Sequence, residues 1–279
     1  MKVDGKVVLI TGGGHGIGRA MAERFHAGGA RAVAVADLDI DAARAVAETI
    51  GGLAIEVDVS DEAAIRRAVA ETERVLGPID LLCSNAGVAF SDAPGWTATS
   101  QTNAQWDRIW KINVMAHVWG ARAVLPSMIE RGGGTLLHTV SAAGLLNQIG
   151  DASYSTTKHA ALGYAESLAI THGEQGIHVA VLCPQAVDTR MFSTAEHAAA
   201  AEAASADGVL SPEDVAAAVV DGLAAESFLI LPHPRVLDYM QRKASDYDRW
   251  LNGMRRFRRR LFPEDGTDFG AGDAVGQDD

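Results

Sequence analysis

The chain is poor in cysteine. Cys83 and Cys183 are the only two in 279 residues, and each sits in or beside an apolar, strand-like run. That excludes a disulfide-stapled secreted scaffold, and with no Cys/His cluster at ligand spacing no metal site is expected. Long apolar runs are also missing: none approaches the ~20 residues that span a bilayer. The N-terminal residues Met1 to Lys6 lack the apolar core of a signal peptide and pass straight into a strand, which makes the cytoplasm the expected location. Positive charge is scarce. Against 36 Asp and Glu stand 24 Lys and Arg, a net charge of −12, so the surface as a whole does not attract nucleic acid or an anionic membrane. No internal repeat is visible.

What is present is an ordinary globular balance, 48% hydrophobic and 22% charged, with enough apolar residues for a sizeable core. Short aliphatic runs bounded by Gly, Pro, Asn or Asp predict strands at Lys6–Ile10, Arg31–Ala36, Leu53–Val57, Asp80–Ser84, Gly134–Val140, Ile177–Cys183 and Phe228–Leu231. Helical patterns fall between them, at Ile17–Ala27, Ile40–Thr49, Glu62–Leu76, Asn103–Arg131, Ser153–His172 and Pro212–Ala225. Asp61 and Ser211 are placed to cap two of these, with Pro212 at a first helical position. Strand–helix alternation with near-continuous apolar strands predicts an α/β fold: one doubly wound, Rossmann-type parallel sheet of seven strands, order 3-2-1-4-5-6-7, helices on both faces. Residues 1–234 would form this domain.

Two motifs carry chemistry. Val7-Val8-Leu9-Ile10 runs into Thr11-Gly12-Gly13-Gly14-His15-Gly16-Ile17-Gly18, and a helix pattern begins at Ile17. That strand–turn–helix context suits a phosphate loop: Gly12 permits the tight turn, Gly16 a close backbone approach to pyrophosphate, and Gly18 close helix–strand packing. Far downstream, Tyr154 and Lys158 lie four residues apart on a helix, on one face, with Ser141 at the end of a strand upstream. Together, in this order, the motifs resemble the short-chain dehydrogenase/reductase family over Lys6 to about Leu231.

The resemblance implies a nicotinamide dinucleotide held by Gly12, Gly14, His15, Gly16, Ile17 and Gly18. Asp37, nineteen residues after Gly18 at the end of the second strand, can accept from the adenosine ribose hydroxyls and repels a 2′-phosphate. Leu38 follows where NADP-preferring relatives often carry Arg, and His15 is the only counter-charge in view, so NAD is expected over NADP. Asp39 and Asp41 read as solvated acids at a helix start. By resemblance, Asp58 and Val59 meet the adenine, Asn85-Ala86-Gly87 brace the sheet beside the cofactor, and Pro184, Val187 and Thr189 meet the carboxamide. Gln185 stands where the family usually has Gly; it either tolerates the local backbone or projects into the substrate pocket.

Tyr154 is expected to exchange the proton of an alcohol or ketone, with Lys158 lowering its pKa and reaching the nicotinamide ribose. Ser141 would hold the substrate oxygen, and Asn113, in the interior of the long helix, would hold a water linking Lys158 to solvent. Leu145, Leu146, Gln148, Gln185 and Met191 are candidate pocket residues, none charged, which suits a moderately apolar secondary alcohol. The expected activity is NAD-dependent interconversion of alcohol and ketone in a homodimer or homotetramer. A non-catalytic nucleotide sensor or scaffold on the same fold is the alternative of different class. An epimerase or dehydratase is disfavoured by the glycine spacing.

Two segments stand outside the alternation. Met191–Gly208 is alanine-rich and placed to be a substrate lid. Residues 235–262 form a basic helical extension with nine Lys and Arg and three Asp, in place of the usual family ending. Tyr239, Trp250, Leu251, Met254, Phe257 and Leu261 give it an apolar stripe. Pairing between subunits is the preferred role, covering of the substrate pocket the alternative; the arginine run reads as a solvated or partner-facing surface rather than a nucleic-acid site. Residues 263–279, rich in Gly and Asp, are expected to be disordered.

Overall fold

Seven short apolar runs become seven strands: β1 (Val7–Thr11), β2 (Ala32–Asp37), β3 (Leu53–Glu56), β4 (Leu81–Ser84), β5 (Gly134–Thr139), β6 (Ile177–Leu182) and β7 (Leu229–Ile230). In this computed structural model, which describes residues 1–93, 97–191 and 205–261, they pair in parallel in the order β3-β2-β1-β4-β5-β6-β7. Most of the expected lid and the expected tail lie outside the described residues.

The register follows from burial on both faces. Val8 of β1 sits between Val33 of β2 and Leu81 of β4. Leu9 faces one helical layer and Ile10 the other, in two separate apolar clusters. Each fully buried aliphatic side chain of this kind contributes about 1.5–3 kcal/mol. Phe25, fully buried under the helix that follows β1, is a single residue whose truncation to Ala would cost about 3–5 kcal/mol.

Five helices start where a side chain satisfies a free backbone N–H group. α1 (Gly16–Ala27) has no side-chain cap and no acid in its first turn, so its N-terminus is left open to an anion. α2 (Ile40–Ile50) is capped by Asp39 and α3 (Glu62–Leu76) by Asp61. α4 (Asn103–Trp110) begins with a capping box of Thr102 and Gln105. The long helix expected from Asn103 to Arg131 is not uniform: a π turn over Lys111–Met115 separates α4 from α5 (Ala116–Glu130). Asn113 is at its centre. A short α6 (Ala143–Leu146) follows β5, and α7 (Ala152–His172) starts from Asp151. α8 (Pro212–Ala224) has a capping box of Ser211 and Asp214.

The extension forms two helices, α9 (Arg235–Ser245) and α10 (Tyr247–Leu261), broken at the extended Asp246. Val236 is fully buried, and Tyr239, Met240 and Trp250 pack against the main core cluster. The extension therefore lies on the chain's own body, as the pocket-covering alternative requires. Leu251, part of the expected stripe, is exposed instead, because one residue turns an α-helix by about 100° away from Trp250. Cys83 and Cys183 are buried and free, and no described helix is long and apolar enough to cross a membrane.

Candidate active site

A cavity of about 1260 Å³ runs past the ends of the central strands. A single drug-sized ligand occupies a pocket of roughly 300–1,000 Å³, so there is room here for a dinucleotide and a second molecule.

At one end the walls come from the turns after β1, β2, β3 and β4. Gly12, His15, Gly16, Ile17, Asp37, Leu38, Asp58, Val59, Asn85, Ala86 and Gly87 all line it. Close approach explains the glycines. Gly12 has φ +63°, and a Cβ there would lie 2.9 Å from the Ala86 Cα; at Gly18 a Cβ would lie 2.0 Å from the Gly12 carbonyl oxygen. Gly14 and Gly18 shape the turn without lining the cavity. The Gly14 N–H donates to the Asp37 carboxylate at 2.9 Å, and Asp39 N–H donates to its other oxygen at 3.0 Å. Asn85 ties the turns together: its Nδ2 donates to the carbonyls of Thr11 and Gly12, both at 3.1 Å, and its Oδ1 accepts from Thr139. This is the bracing role expected of it. A nucleotide's pyrophosphate fits this cradle, since the α1 terminus offers N–H groups with no side-chain cap and no acid in its first turn.

Two features here differ from expectation. Asp39 is more than a solvated acid: it caps α2 through Ala42 N–H and faces His15 Nε2 at 3.2 Å. His15 is not the only possible counter-charge nearby. Arg190, brought from 175 residues away, places its guanidinium 2.9 Å from His15 Nε2. No spacing rule could show that contact, which exists only because the segment after β6 reaches across to the turn after β1, where a Cβ on Gly16 would lie 3.0 Å from the Thr189 side chain.

At the other end Ser141, Tyr154, Lys158, Gln148, Pro184, Gln185, Val187, Thr189 and Met191 line the cavity. Asp151 starts α7 and accepts from Tyr154 N–H at 2.8 Å, so the first turn fixes Tyr154. One turn on, Lys158 is 3% exposed, with its ammonium 5.4 Å from the Tyr154 ring centre and donating to the Thr139 carbonyl at 2.9 Å. Burial pulls the Lys158 pKa down to about 8. Burial pushes the Tyr154 phenol up, to about 12, with a hydrogen bond to Ser141 acting the other way. In the protein alone, burial is the largest cause of both shifts and disfavours the charged form of each group.

Asn113 is fully buried and does not line the cavity. Its amide holds the main chain of Val88, accepting from the N–H at 3.0 Å and donating to the carbonyl at 2.9 Å, and donates to Thr157 at 3.2 Å. A Cβ on Gly87 would come within 3.4 Å of Asn113 Oδ1 and 3.5 Å of Lys158 Nζ, so the three groups are neighbours. Leu145 is a correction. It does not line the cavity, whereas Leu146, expected beside it, does; both pack into the main core cluster. Gln185 has no left-handed backbone, so no glycine is required there, and it lines the pocket with its Oε1 buried and unpartnered among the described residues.

The sequence reading missed several lining residues. Ile112, Arg108 and Lys111 come from α4 and the π turn, and Tyr239, Arg242, Trp250, Met254, Phe257 and Arg260 from the extension. The last group was visible as an apolar stripe, without showing which surface it covers. No cluster of His, Cys, Asp and Glu fit for a metal occurs among the described residues.

The sheet, the cradle and the polar cluster facing it define a nucleotide-binding Rossmann-type enzyme. The model of the short chain dehydrogenase family matches residues 6–200. The chain is 35% identical over 237 residues to 1-deoxy-11-beta-hydroxypentalenate dehydrogenase of Streptomyces exfoliatus, covering 82% of this chain and 84% of that protein. It is 40% identical over 191 residues to the sorbitol dehydrogenase of Cereibacter sphaeroides, covering 67% and 73%. Among solved structures, a short chain dehydrogenase/reductase from Burkholderia phymatum in complex with NAD superposes with a TM-score of 0.80 at 27% identity, covering 89% of this chain and 96% of that one. The chain belongs to the short-chain dehydrogenase/reductase family, as an oxidoreductase with a nicotinamide cofactor.

Proposed function

We propose that this oxidoreductase interconverts a secondary alcohol and a ketone, prefers NAD to NADP, and uses Tyr154 as its acid and base. The observation that carries the reading is the meeting of Ser141, Tyr154 and Lys158 on the wall of the cavity that the nucleotide cradle also lines. The dehydrogenase names of the relatives support the reaction class.

When bound, the nicotinamide supplies the hydride acceptor in one direction and the donor in the other, and its oxidised ring is cationic. Everything else falls to this chain. Ser141 donates to and steadies the substrate oxygen. Tyr154, protonated well past neutrality in the protein alone, gives its proton to that oxygen during ketone reduction. In alcohol oxidation it takes the proton back, which needs local positive charge; Lys158 stands beside the ring to provide part of it. Thr139 holds the Lys158 ammonium in place, and Asn113 fixes the Val88 main chain behind it.

NAD preference rests on Asp37, whose carboxylate lines the cavity at the end of β2, with Leu38 exposed beside it. The same reading takes the protein to be cytoplasmic and a homodimer or homotetramer acting on small molecules. Ile170 of α7 stands 84% exposed, on a face that a second copy would cover.

The test is a panel of secondary alcohols with the full chain and NAD⁺, followed at the absorbance of the reduced nicotinamide, for wild type and Tyr154→Phe. The variant should retain cofactor binding and lose about 10²–10⁴-fold in kcat. Near-wild-type turnover in the variant overturns the assignment, and binding without turnover across the panel favours the sensor reading.

A further inference from the structure

The two C-terminal helices do more than cover the cavity. α9 is pinned above α6: the Lys243 ammonium, on a residue 9% exposed, donates to the Leu145 carbonyl at 2.7 Å and sits 3.4 Å from His159 Nε2. α6 follows directly on Ser141, so the roof lies over the substrate end and away from Asp37 and Asp58. Trp250, Met254 and Phe257 of α10 face down into the cavity as an apolar wall. Tyr239 and Trp250 hold the two helices together, with ring centres 6.5 Å apart.

The cations of α9 divide by use. Arg235 is committed to Asp207, N to O 2.7 Å, an acid that also accepts from Tyr239. Lys243 is committed to Leu145. Arg242 lines the cavity, and its guanidinium lies 5.8 Å from the Tyr239 ring centre, with no ion pair among the described residues. Arg260 lines the same cavity from α10, over the ring of Phe257 at 5.4 Å. An arginine stacked on an aromatic ring keeps its in-plane N–H donors available, in a fork that matches a carboxylate. A chain of net charge −12 repels anions in general, so two arginines at this rim supply local selection that the surface lacks.

We propose that the substrate carries a carboxylate on a bulky apolar body, remote from the reacting carbon, and that Arg242 is the specificity-determining residue that reads it, aided by Arg260. The apolar body lies against Trp250, Met254 and Phe257. This rests on the alcohol/ketone reading for the reacting end only.

Three probes test it on the full chain: 6-oxodecalin-2-carboxylate, its methyl ester, and decalin-2-carboxylate, which has no carbonyl. Binding is read by calorimetry in the presence of NAD⁺, with which a ketone cannot react, and turnover of the two ketones by NADH consumption. The carboxylate ketone should bind about tenfold tighter than the ester in wild type, the scale of one charge-assisted hydrogen bond. Arg242→Gln should bring the ratio towards one, and Arg242→Lys should restore part of it. Raised salt should narrow the wild-type ratio. A wild-type ratio near one, or a ratio indifferent to salt and to both variants, overturns the proposal. Should Arg242→Gln not fold, the wild-type ratio, its salt dependence and Arg242→Lys still decide. Decalin-2-carboxylate separates the two readings: if it binds with the same Arg242 dependence while neither ketone turns over, the anion site stands and the reaction assignment falls.

Discussion

Replacing Lys243 by Met tests whether the roof is fastened where the structure places its fastening. Methionine keeps the apolar stem in the gap under α9 and removes the ammonium. Two groups then lose their donor. The Leu145 carbonyl, met at 2.7 Å, is left unsatisfied in a buried setting, which costs about 1–3 kcal/mol. His159 loses a weaker contact at 3.4 Å. Its Nδ1 faces the Ser155 carbonyl at 2.8 Å and must carry a proton, so Nε2 is an acceptor that water can satisfy once α9 lifts. For a chain of this size each kcal/mol moves Tm by about 2–4 °C, so a fall of about 2–12 °C is expected in a thermal melt. The effect should be local. α6 and the roof loosen together, so KM for any accepted ketone rises several-fold, while NAD affinity, set at the cradle after β1, stays within twofold. An unchanged Tm together with an unchanged KM would refute the latch, and a lost NAD affinity would show that the substitution acts on the whole fold.

Asp37→Ala should weaken NAD use and narrow its advantage over NADP by about tenfold or more in kcat/KM; equal or better use of NADP by the wild type would end the preference argument. His117 and His138 meet Nδ1 to Nδ1 at 2.8 Å in the core, and burial lowers both pKa values, that of His138 to about 4. A folded-state value below the unfolded one gives stability that is complete above about pH 6.5 and drains away as pH falls towards 4. Asp151 has the opposite sign, because burial raises it to about 7 and its contribution is lost as pH rises through that value. The His term is isolated by subtracting the melting temperature of His138→Asn from that of wild type: the wild-type advantage should shrink steadily from pH 7 to 5, and a constant difference would contradict the assignment.

The fold was legible because its signals are local and repeated. Val7-Val8-Leu9-Ile10 before a glycine turn, and an aliphatic run before each later helix, are enough to order seven parallel strands. Strand ends moved by one or two residues, as at Val7–Thr11, and the caps at Asp61 and Ser211 held. The candidate site was legible where one short segment carries it: Tyr154 and Lys158 on one helical face, Gly12 to Gly18 in one turn. It was not legible where distant segments meet. Arg190 beside His15, Lys243 over Leu145 and Arg242 over the substrate end are contacts between distant parts of the chain. Leu145 and Leu146 could not be told apart either, since adjacent residues of a short helix differ only in direction. The burial of Tyr154 and Lys158 was hidden for another reason: spacing reveals a neighbouring cation but not the loss of water around both groups.

The π turn at Lys111–Met115 makes the helix sensitive to length in a way that it is not to composition. A π turn accommodates one residue more than an α-helix uses for the same rise, and each α-helical residue carries about 100° of rotation. Deleting any one residue between 111 and 115 lets the segment relax into continuous α-helix while every point substitution there leaves the surplus in place. The π turn and the shorter α-helical path cover the same rise and nearly the same rotation, so the healed helix keeps Arg108 at the cavity and His117, Gly120 and Val124 against the sheet. What changes is the turn itself, from which Asn113 holds the Val88 main chain and Thr157. A one-residue deletion in this stretch is therefore a wound confined to Asn113, with the flanking helices still in register.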